Sequence, residues 1–314
     1  MVTTNSEVVS PFDKSLKAVL TRQISTNLII EAYKKSGVNV ERFFTGVELV
    51  DIYECPLTKY RFYYPDSIIG DEEFYESLQS LHADYYLQDK TEFGLALEEL
   101  DARGKVLEIG CGDGVFLQIL KNAGIDGVGL EFNELALNKC LSKGLDVRKD
   151  SIENFACKNL EQFDAVVLFQ VLEHVSNISS FIESALSCLR KGGRLIVAVP
   201  DNSPYYKNFR IHLTFNLPPH HMGLWNAKSL KGLEKIFDVS LESIQYDDDY
   251  SSFPKYVYFL GDLLISRFRS LYGNFFFRHL FIVLLLPFTI PVVLKMKFRS
   301  ELRPHSIIAT FTKT

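Results

Sequence analysis

Two spacing patterns of hydrophobic residues alternate along residues 104–245. Short, nearly continuous apolar runs, typical of buried strands, are separated by stretches in which an apolar residue recurs every three or four positions, as in amphipathic helices. Because successive parallel strands need a crossover between them, this alternation predicts a parallel sheet with helices on both faces. The predicted strands are "KVLEIGC", "DGVGLEF", "LDVRKDS", "FDAVVLFQVLEHV", which runs on into a helical turn, and "RLIVAVP".

The intervening helices carry recognisable end signals. "GVFLQILKNAG" ends in glycine, "NELALNKCLSKG" begins with Asn133 as its N-cap, and "ISSFIESALSCLRKGG" precedes the fifth strand. A last β-rich pair, "FDVSLESIQYD" and "HSIIATFTK", would complete the sheet. The predicted fold class is therefore α/β, with a doubly wound, seven-stranded, mostly parallel sheet.

Residues 1–100 predict a separate extension of helices and a small β-hairpin. The segment "STNLIIEAYKKSG" is a helix with Ser25 or Thr26 as N-cap and Gly37 as its end, and "VELVDIYECPLTKYRFYYP" is the hairpin. "DEEFYESLQSLHADYYLQDKTEFGLALEELD" predicts one or two further helices. The predicted domains are the extension (1–100), the core (101–248), a hydrophobic, basic, helical insert (249–304) and the last core strand (305–314).

Composition narrows the class of protein. An apolar fraction of 47% with 23% charged residues is that of a globular protein, and the net charge of −5 argues against a general nucleic-acid binder. Five cysteines at irregular spacing, behind an N-terminus without the apolar core of a signal peptide, favour free thiols in a reducing cytoplasm.

The segment "CPLT" has the outline of half a zinc knuckle. Thr58 stands where the second thiolate would be, and no second cysteine pair occurs in the chain. Because a structural zinc site needs four ligands, we expect no metal at Cys55 and favour a small β element packed on the main domain.

The strand "KVLEIGC" leads into three glycines at alternate positions, Gly110, Gly112 and Gly114. Such a turn lets backbone approach a ligand at the carboxyl end of the first strand. The third glycine of the dinucleotide fingerprint is replaced by Val115, and Glu108 would repel a pyrophosphate but attract a cation. Glu131, 21 residues after Gly110, suits ribose hydroxyls. An adenosine with a positive charge and no phosphate fits these features, which describes S-adenosylmethionine.

The successive segments resemble the motifs of class I S-adenosylmethionine-dependent methyltransferases, which have a Rossmann-like fold. The resemblance covers roughly residues 104–245 and the final strand, with five motifs in order: "VLEIGCGDG", "GLEFN", "KDSIENF", "FDAVVLFQVLEHV" and "LRKGGRLIVAVPD". It implies that S-adenosylmethionine is the cofactor.

The same resemblance implies roles for individual residues. Glu108 and the loop of Gly110, Cys111, Gly112 and Gly114 would hold the methionine moiety and its sulfonium. The remaining predicted contacts are Glu131 on the ribose, Phe132 flanking the adenine, Asp150 and Ser151 at the adenine edge, and Gln170 beside the methionine end.

Methyl transfer requires alignment of donor and nucleophile and, for a hydroxyl acceptor, removal of a proton. Histidine is the natural base at neutral pH. The candidates are His174, in "VLEHV" just past the fourth strand, and His220 and His221, in the proline-led loop "NLPPHHMGLW". Structural roles for these side chains, and assistance by a divalent metal, remain open alternatives at this point.

The stretch "NLPPHHMGLWNAKSLKGLEKIFDV" resembles a bacterial subgroup of these enzymes linked to cell-surface glycan or other secondary pathways. Members of that subgroup commonly carry a cysteine pair near the N-terminus, of which only Cys55 is present here. The resemblance does not fix a substrate.

The insert contains an apolar run from Leu280 to Leu294, interrupted by Pro287 and Pro291. As a helix it would reach about 22 Å, short of a hydrocarbon core of about 30 Å, so a membrane span is not expected. Residues 263–304 carry seven basic side chains against one acid, which is +6 and leaves −11 for the rest of the chain. The alternatives are a helical lid over the acceptor pocket or a peripheral contact with an anionic membrane.

The predicted function is transfer of a methyl group from S-adenosylmethionine to oxygen, with nitrogen or carbon as alternatives, of a small or lipid-linked acceptor such as a glycan or secondary metabolite. The expected location is the cytoplasm, with the inner face of the membrane as an alternative. Two competing hypotheses are a nicotinamide-dependent oxidoreductase and a non-catalytic membrane adaptor with a methyltransferase fold. The sequence does not indicate the oligomeric state.

Overall fold

A computed structural model describes residues 7–81, 91–203, 216–246, 287 and 306–314 of the chain. The chain separates into two compact units, Met1–Gln245 with Ser306–Thr314, and Tyr246–His305. Nearly all of the second unit lies outside the described residues. The predictions of a helical insert and of a lid or membrane contact concern those residues, so the structure does not test them.

Eleven strands occur in the described part of the chain, in two sheets. Their bounds are β1 (Val19–Ser25), β2 (Leu49–Glu54), β3 (Arg61–Tyr64), β4 (Lys105–Ile109), β5 (Asp126–Leu130), β6 (Asp146–Arg148), β7 (Phe163–Phe169), β8 (Leu189–Pro200), β9 (Gly223–Leu224), β10 (Val239–Tyr246) and β11 (Ser306–Lys313).

The larger sheet has seven strands in the order β10-β11-β8-β7-β4-β5-β6. Strands β6, β5, β4, β7 and β8 run parallel to one another, and β11 pairs antiparallel with β8. The predicted doubly wound, mostly parallel α/β sheet is therefore confirmed.

The helices pack on the sheet or within the extension. They are α1 (Thr26–Lys35), α2 (Glu72–Leu81), α3 (Thr91–Glu98), α4 (Val115–Asn122), α5 (Glu134–Ser142), α6 (Ile152–Ala156), α7 (Ile178–Cys188) and α8 (Ala227–Lys231). Three aromatic rings lie at the centre of the core between α3, α4 and β7: Phe93, Phe116 and Phe169, with centroids 4.9–5.4 Å apart. Burial of such rings is a major source of core stability.

The smaller sheet is antiparallel, in the order β1-β2-β3-β9. Its β2–β3 pair is the predicted hairpin. The pattern did not reveal β1, because most of its residues are exposed and give no inward–outward alternation. Strand β9 comes from the loop after β8 and pairs with β3, which attaches that loop to the extension.

Other predicted features agree with the structure to within a few residues. Asn133 caps α5, since its side chain accepts a hydrogen bond from the Ala136 amide at 2.9 Å. The short helix α6 was not predicted, and β8 begins at Leu189 rather than at the predicted Arg194. Within the described ranges, the structure contains no helix of sufficient length and hydropathy to cross a membrane.

Candidate functional site

The glycine loop lies at the carboxyl end of β4, in the left-handed backbone region. Gly110, Gly112 and Gly114 have φ of 73°, 52° and 74°. Both the Gly110 and Cys111 amides donate to the Leu130 carbonyl, at 2.8 and 3.1 Å, which ties the loop to the end of β5. A Cβ at Gly110 would lie 2.6 Å from Cγ2 of Val171, so only glycine fits there without displacement.

The carboxylate of Glu131 spans the edge between this loop and the start of α5. Its Oε2 accepts from the Gly112 amide at 2.8 Å, and its Oε1 accepts from the Asn133 amide at 2.8 Å. Charge-assisted bonds of this kind fix an anionic acceptor in place. Glu131 is thus held beside the glycine loop, and its contact with the ribose remains a prediction.

Glu108 is 3% exposed and lies within β4, between β5 and β7. The nearby thiol of Cys111 contacts the thiol of Cys140. This bond, burial, and the charges of Glu108 and Glu131 all raise the pKa of Cys111, so its thiol stays protonated. The Cys111 thiol therefore adds no negative charge, and the carboxylates of Glu108 and Glu131 favour a cation at this end of the cleft.

The residues predicted at the adenine lie at the ends of β5 and β6. Phe132 is exposed on 59% of its surface, which leaves its ring open to a partner. Ser151 is the N-cap of α6, because its Oγ accepts from the Asn154 amide at 3.2 Å. This capping bond alone accounts for a serine at position 151, independently of any ligand contact. The adenine contacts of Phe132, Asp150 and Ser151 remain predictions.

Gln170 follows β7 with a φ of 58°, unusual for a residue with a side chain. Its main-chain amide donates to the Ala198 carbonyl at 2.8 Å. Its Nε2 donates to Oγ of Ser306 at 3.0 Å and to the carboxylate of Glu92, which is buried. The amide nitrogen of Gln170 is thus held by α3 and β11, two elements that the sequence pattern did not connect with it; its cofactor contact remains a prediction.

The three candidate histidines lie together. One ring nitrogen from each of His174, His220 and His221 lies within 4.8 Å of the others. The rings of His220 and His221 stack with centroids 4.5 Å apart, and the ring of His174 packs edge-on against both, at 4.7 and 4.8 Å. We call these residues the histidine cluster. Two segments 46 residues apart in sequence thus meet at one point.

The tautomer of His174 follows from its partner. Its Nδ1 lies 2.7 Å from the main-chain carbonyl oxygen of His220, and a carbonyl can only accept, so Nδ1 carries the proton. Its Nε2 then lies 3.9 Å from Oε1 of the buried Glu173. Burial lowers the pKa of His174 to about 4, although the bond to the His220 carbonyl acts in the opposite direction. His174 is therefore neutral at neutral pH.

The extension holds the histidine loop in place. The Met222 amide donates to the Glu173 carbonyl at 2.7 Å, and the Tyr63 amide donates to the Met222 carbonyl at 2.9 Å. On the other side of the loop, the Gly70 amide donates to the Pro219 carbonyl at 2.9 Å. The loop is thus bonded both to the turn after β7 and to the residues around β3.

Two further side chains belong to this site and were missed from the sequence. The Tyr75 hydroxyl lies 3.3 Å from Nδ1 of His174 and donates to the His220 carbonyl at 3.2 Å. Nδ1 of His221 lies 3.1 Å from Oδ1 of Asn216. Tyr75 belongs to α2, whose aromatic spacing indicated only a packed helix face, so no local signal marked it.

The region of Cys55 is built as a hydrogen-bonded turn. Ser10 Oγ donates to Cys55 Sγ at 3.1 Å, and the Thr58 amide donates to the same sulfur at 3.4 Å. Burial alone would raise the pKa of Cys55, but these hydrogen bonds outweigh it and lower the pKa. Across the part of the chain that the structure describes, the histidine cluster is the one group of three or more potential metal ligands, and Cys55 is not part of it.

A surface cavity of about 350 Å³ lies elsewhere, at the amino ends of β5 and β6. Its lining includes Lys121, Asp126 and Asp146. Because ligands of doubly wound sheets bind at the carboxyl ends of the strands, this cavity is not the candidate site.

The chain is similar to known methyltransferases. Residues 80–240, slightly more than half of the chain, match the family model described as a methyltransferase domain. That range contains the glycine loop, Glu131 and the histidine cluster.

Curated relatives match a shorter segment. The mitochondrial ubiquinone biosynthesis O-methyltransferase of Rattus norvegicus is 32% identical over 102 residues, 30% of each chain. The ubiquinone biosynthesis O-methyltransferase of Stutzerimonas stutzeri is 29% identical over 113 residues, 34% of this chain and 49% of the relative. The chain thus spans at most about half the length of these relatives. A solved S-adenosylmethionine-dependent methyltransferase from Archaeoglobus fulgidus is 17% identical with a TM-score of 0.51, over 77% of this chain and all of that one, which indicates a shared fold.

Proposed function

The chain belongs to the class I S-adenosylmethionine-dependent methyltransferases, and from this premise we propose that it methylates a hydroxyl oxygen of a small or lipid-linked acceptor. The observation that carries the proposal is the histidine cluster, because three imidazoles packed beside the end of β7 suit removal of a proton from a hydroxyl. The cluster lies at the same edge of the sheet as the glycine loop.

The residues around the glycine loop fit S-adenosylmethionine. The turn at Gly110 leaves no room for a Cβ, and the carboxylates of Glu108 and Glu131 suit a sulfonium and ribose hydroxyls respectively. When bound, the cofactor supplies a methyl group whose bond to sulfur breaks, with its electron pair kept by sulfur, as the acceptor oxygen attacks the carbon. The protein's own task is to align that oxygen and to accept its proton.

Within the cluster, the two loop histidines are the proposed bases. A pKa of about 4 makes His174 a weak base at neutral pH, since an efficient base has a pKa near the working pH. The bond from His221 Nδ1 to Oδ1 of Asn216 orients the His221 ring, leaving Nε2 as its basic nitrogen. His174 and Tyr75 then position the loop through the His220 carbonyl.

The relatives support oxygen as the methylated atom, since their names describe O-methyltransferases of ubiquinone biosynthesis. Methylation of oxygen requires an acceptor with an accessible hydroxyl group, and we propose a molecule such as a glycan or secondary metabolite. A lipid-linked acceptor would also give residues 263–304, with their +6 charge, a role at an anionic membrane surface. A cytoplasmic location is part of the same proposal.

The test uses the purified chain with radiolabelled S-adenosylmethionine and fractionated cell extracts, followed by identification of the labelled product. We expect a base-stable methyl ether on a small or lipid-soluble product. Label on nitrogen or carbon would contradict the oxygen assignment. The competing oxidoreductase hypothesis is tested by titration, because it requires binding of NADH and no binding of S-adenosylhomocysteine.

The adaptor hypothesis is tested by Gly112→Arg, which places a bulky cation in the loop and should block the cofactor site. We expect the variant to lose cellular function. Survival of that function would favour the adaptor.

A further inference from the structure

Two cysteine side chains meet beneath the glycine loop. Cys111 belongs to the loop itself, and Cys140 lies near the end of α5. Both are free thiols, both are buried in the core cluster of the larger sheet, and a hydrogen bond joins their sulfur atoms. Two thiols held in contact have the starting arrangement that a disulfide bond needs.

The surrounding backbone leaves room for these two sulfur atoms. A Cβ at Gly129 would lie 2.7 Å from Sγ of Cys111, and a Cβ at Gly114 would lie 2.7 Å from Sγ of Cys140. The Cys140 thiol also donates to the Gly112 carbonyl at 3.2 Å. The pair is therefore packed against the glycine loop on one side and against β5 on the other.

The two thiols differ in acidity. The thiolate is the reactive form of cysteine, so the more acidic thiol reacts first. The contact with Cys111 lowers the pKa of Cys140, and the charge of Lys143 acts in the same direction, against the effect of burial. The same contact and burial raise the pKa of Cys111. Cys140 is therefore the nucleophile of the pair, and Cys111 is the thiol that resolves its oxidised form.

We propose that a peroxide oxidises Cys111 and Cys140 to a disulfide, and that this bond closes the glycine loop to the cofactor. The Cys140 thiolate attacks one peroxide oxygen, the O–O bond breaks, and a sulfenic acid and water form. The Cys111 sulfur then attacks the Cys140 sulfur, the S–O bond breaks, and hydroxide leaves with the Cys111 proton as a second water. The two thiols lose two electrons and two protons in all, and a dithiol reductant returns them.

The bond would move the loop because its sulfur atoms must come closer. An S–S bond is about 2.05 Å long, and Gly110 and Gly112, on either side of Cys111, give the backbone freedom to follow. Oxidation also removes the S–H that Cys140 donates to the Gly112 carbonyl, while the amide of the same glycine is bonded to Glu131. The effect on the cofactor rests on the predicted role of this loop, whereas the disulfide itself does not.

Access to the pair depends on local opening of the loop. Cys140 has no exposed surface and Cys111 is 6% exposed, so a peroxide reaches the sulfur atoms only when the loop opens. A ligand that binds the closed loop stabilises it against opening. Bound S-adenosylhomocysteine should therefore slow the oxidation.

The experiment maps the bond and measures cofactor affinity on the same samples. The full chain is reduced, freed of reductant and treated with hydrogen peroxide, its remaining thiols are alkylated, and its peptides are identified by mass spectrometry. S-adenosylhomocysteine affinity is measured by calorimetry before oxidation, after it, and after reduction with dithiothreitol. We expect a Cys111–Cys140 disulfide, a loss of affinity of about tenfold or more, and recovery on reduction.

Variants separate this pair from the other thiols. Cys140→Ser keeps a hydroxyl that can donate to the Gly112 carbonyl but cannot form a disulfide, so its affinity should be close to wild type and should no longer respond to peroxide. Cys157→Ser removes an exposed thiol and is the matched control, which should respond as the wild type does. Binding of S-adenosylhomocysteine by the reduced variants reports that they are folded, and Cys140→Ala replaces the serine variant if it is not.

Absence of the Cys111–Cys140 bond after peroxide treatment would overturn the proposal, as would a peroxide response that persists in Cys140→Ser or disappears in Cys157→Ser. A disulfide that leaves S-adenosylhomocysteine affinity unchanged would overturn the closure of the loop. If the reduced chain methylates no hydroxyl acceptor, the proposed function is contradicted while the thiol pair stands.

Discussion

Nδ1 of His174 lies 2.7 Å from the main-chain carbonyl oxygen of His220. This bond joins the turn after β7 to the loop that precedes β9. Because β9 pairs with β3, the extension and the methyltransferase core meet through this contact. A displacement of the loop would break the bond and separate the three rings. The extension therefore positions the groups that we assign to the acceptor.

The glycine loop is tested by a pair of glycines with the same backbone strain. Gly110 and Gly124 have φ of 73° and 74°, but a Cβ would clash with Val171 only at Gly110. Alanine in this backbone region costs about 1–2 kcal/mol at either position. We expect both variants to lower the free energy of unfolding, and only Gly110→Ala to weaken S-adenosylhomocysteine binding, by tenfold or more in calorimetric titration. Equal affinity in the two variants would remove the loop from the cofactor site.

The carboxylate at the end of β5 is tested by Glu131→Gln. The substitution weakens the charge-assisted bonds with the Gly112 and Asn133 amides, because a neutral side chain replaces the carboxylate. The NH2 group of the new glutamine would also face one of these main-chain N–H donors. Hydrogen bonds to charged groups contribute about 1.5–3 kcal/mol, so the dissociation constant for S-adenosylhomocysteine should rise roughly 10- to 100-fold. Glu134→Gln, on the exposed surface of α5, is the control and should change it by less than about twofold. A larger rise in the dissociation constant for Glu134→Gln than for Glu131→Gln would refute the ribose role of Glu131.

Tyr75→Phe tests the support of the histidine cluster. The hydroxyl contacts His174 Nδ1 and the His220 carbonyl, and loss of one such bond costs about 1 kcal/mol. We expect kcat for methyl transfer to fall about fivefold, with S-adenosylhomocysteine affinity unchanged. Tyr53→Phe, whose ring packs in the smaller sheet, should leave kcat unaltered. Equal kcat values for the two variants would show that Tyr75 serves packing only.

The basic segment is tested with vesicles. Each basic residue near an anionic surface contributes about 1 kcal/mol, so Lys295, Lys297, Arg299 and Arg303 together would supply about 4 kcal/mol. We expect the chain to co-sediment with anionic vesicles, to dissociate at high salt, and to bind neutral vesicles poorly. Replacement of all four by Gln should abolish sedimentation without changing cofactor affinity. A wild-type chain that stays in solution at low salt would leave the lid as the alternative.

The core could be predicted because its signals are local. Apolar runs, the Asn133 cap and the glycine turn each depend on a few neighbouring residues, and their alternation is enough to predict a mostly parallel sheet. The order of the strands came from the structure. The contacts of Tyr75 with His220 and of Gln170 with Glu92 span 145 and 78 residues. Such contacts depend on packing between distant elements, so the periodicity of either segment carries no sign of them. The histidines could be named as candidates, but their convergence required the structure.

The most direct measurement of the central claim compares turnover with cofactor affinity in His220→Ala, His221→Ala and the double variant. A general base contributes about 10²-fold or more to rate, so we expect kcat to fall at least about hundredfold in one single variant and in the double. The dissociation constant for S-adenosylhomocysteine should stay within about twofold of wild type, because the glycine loop and Glu131 are untouched. Unchanged turnover in both single variants and in the double would contradict the assignment of this loop to the acceptor chemistry.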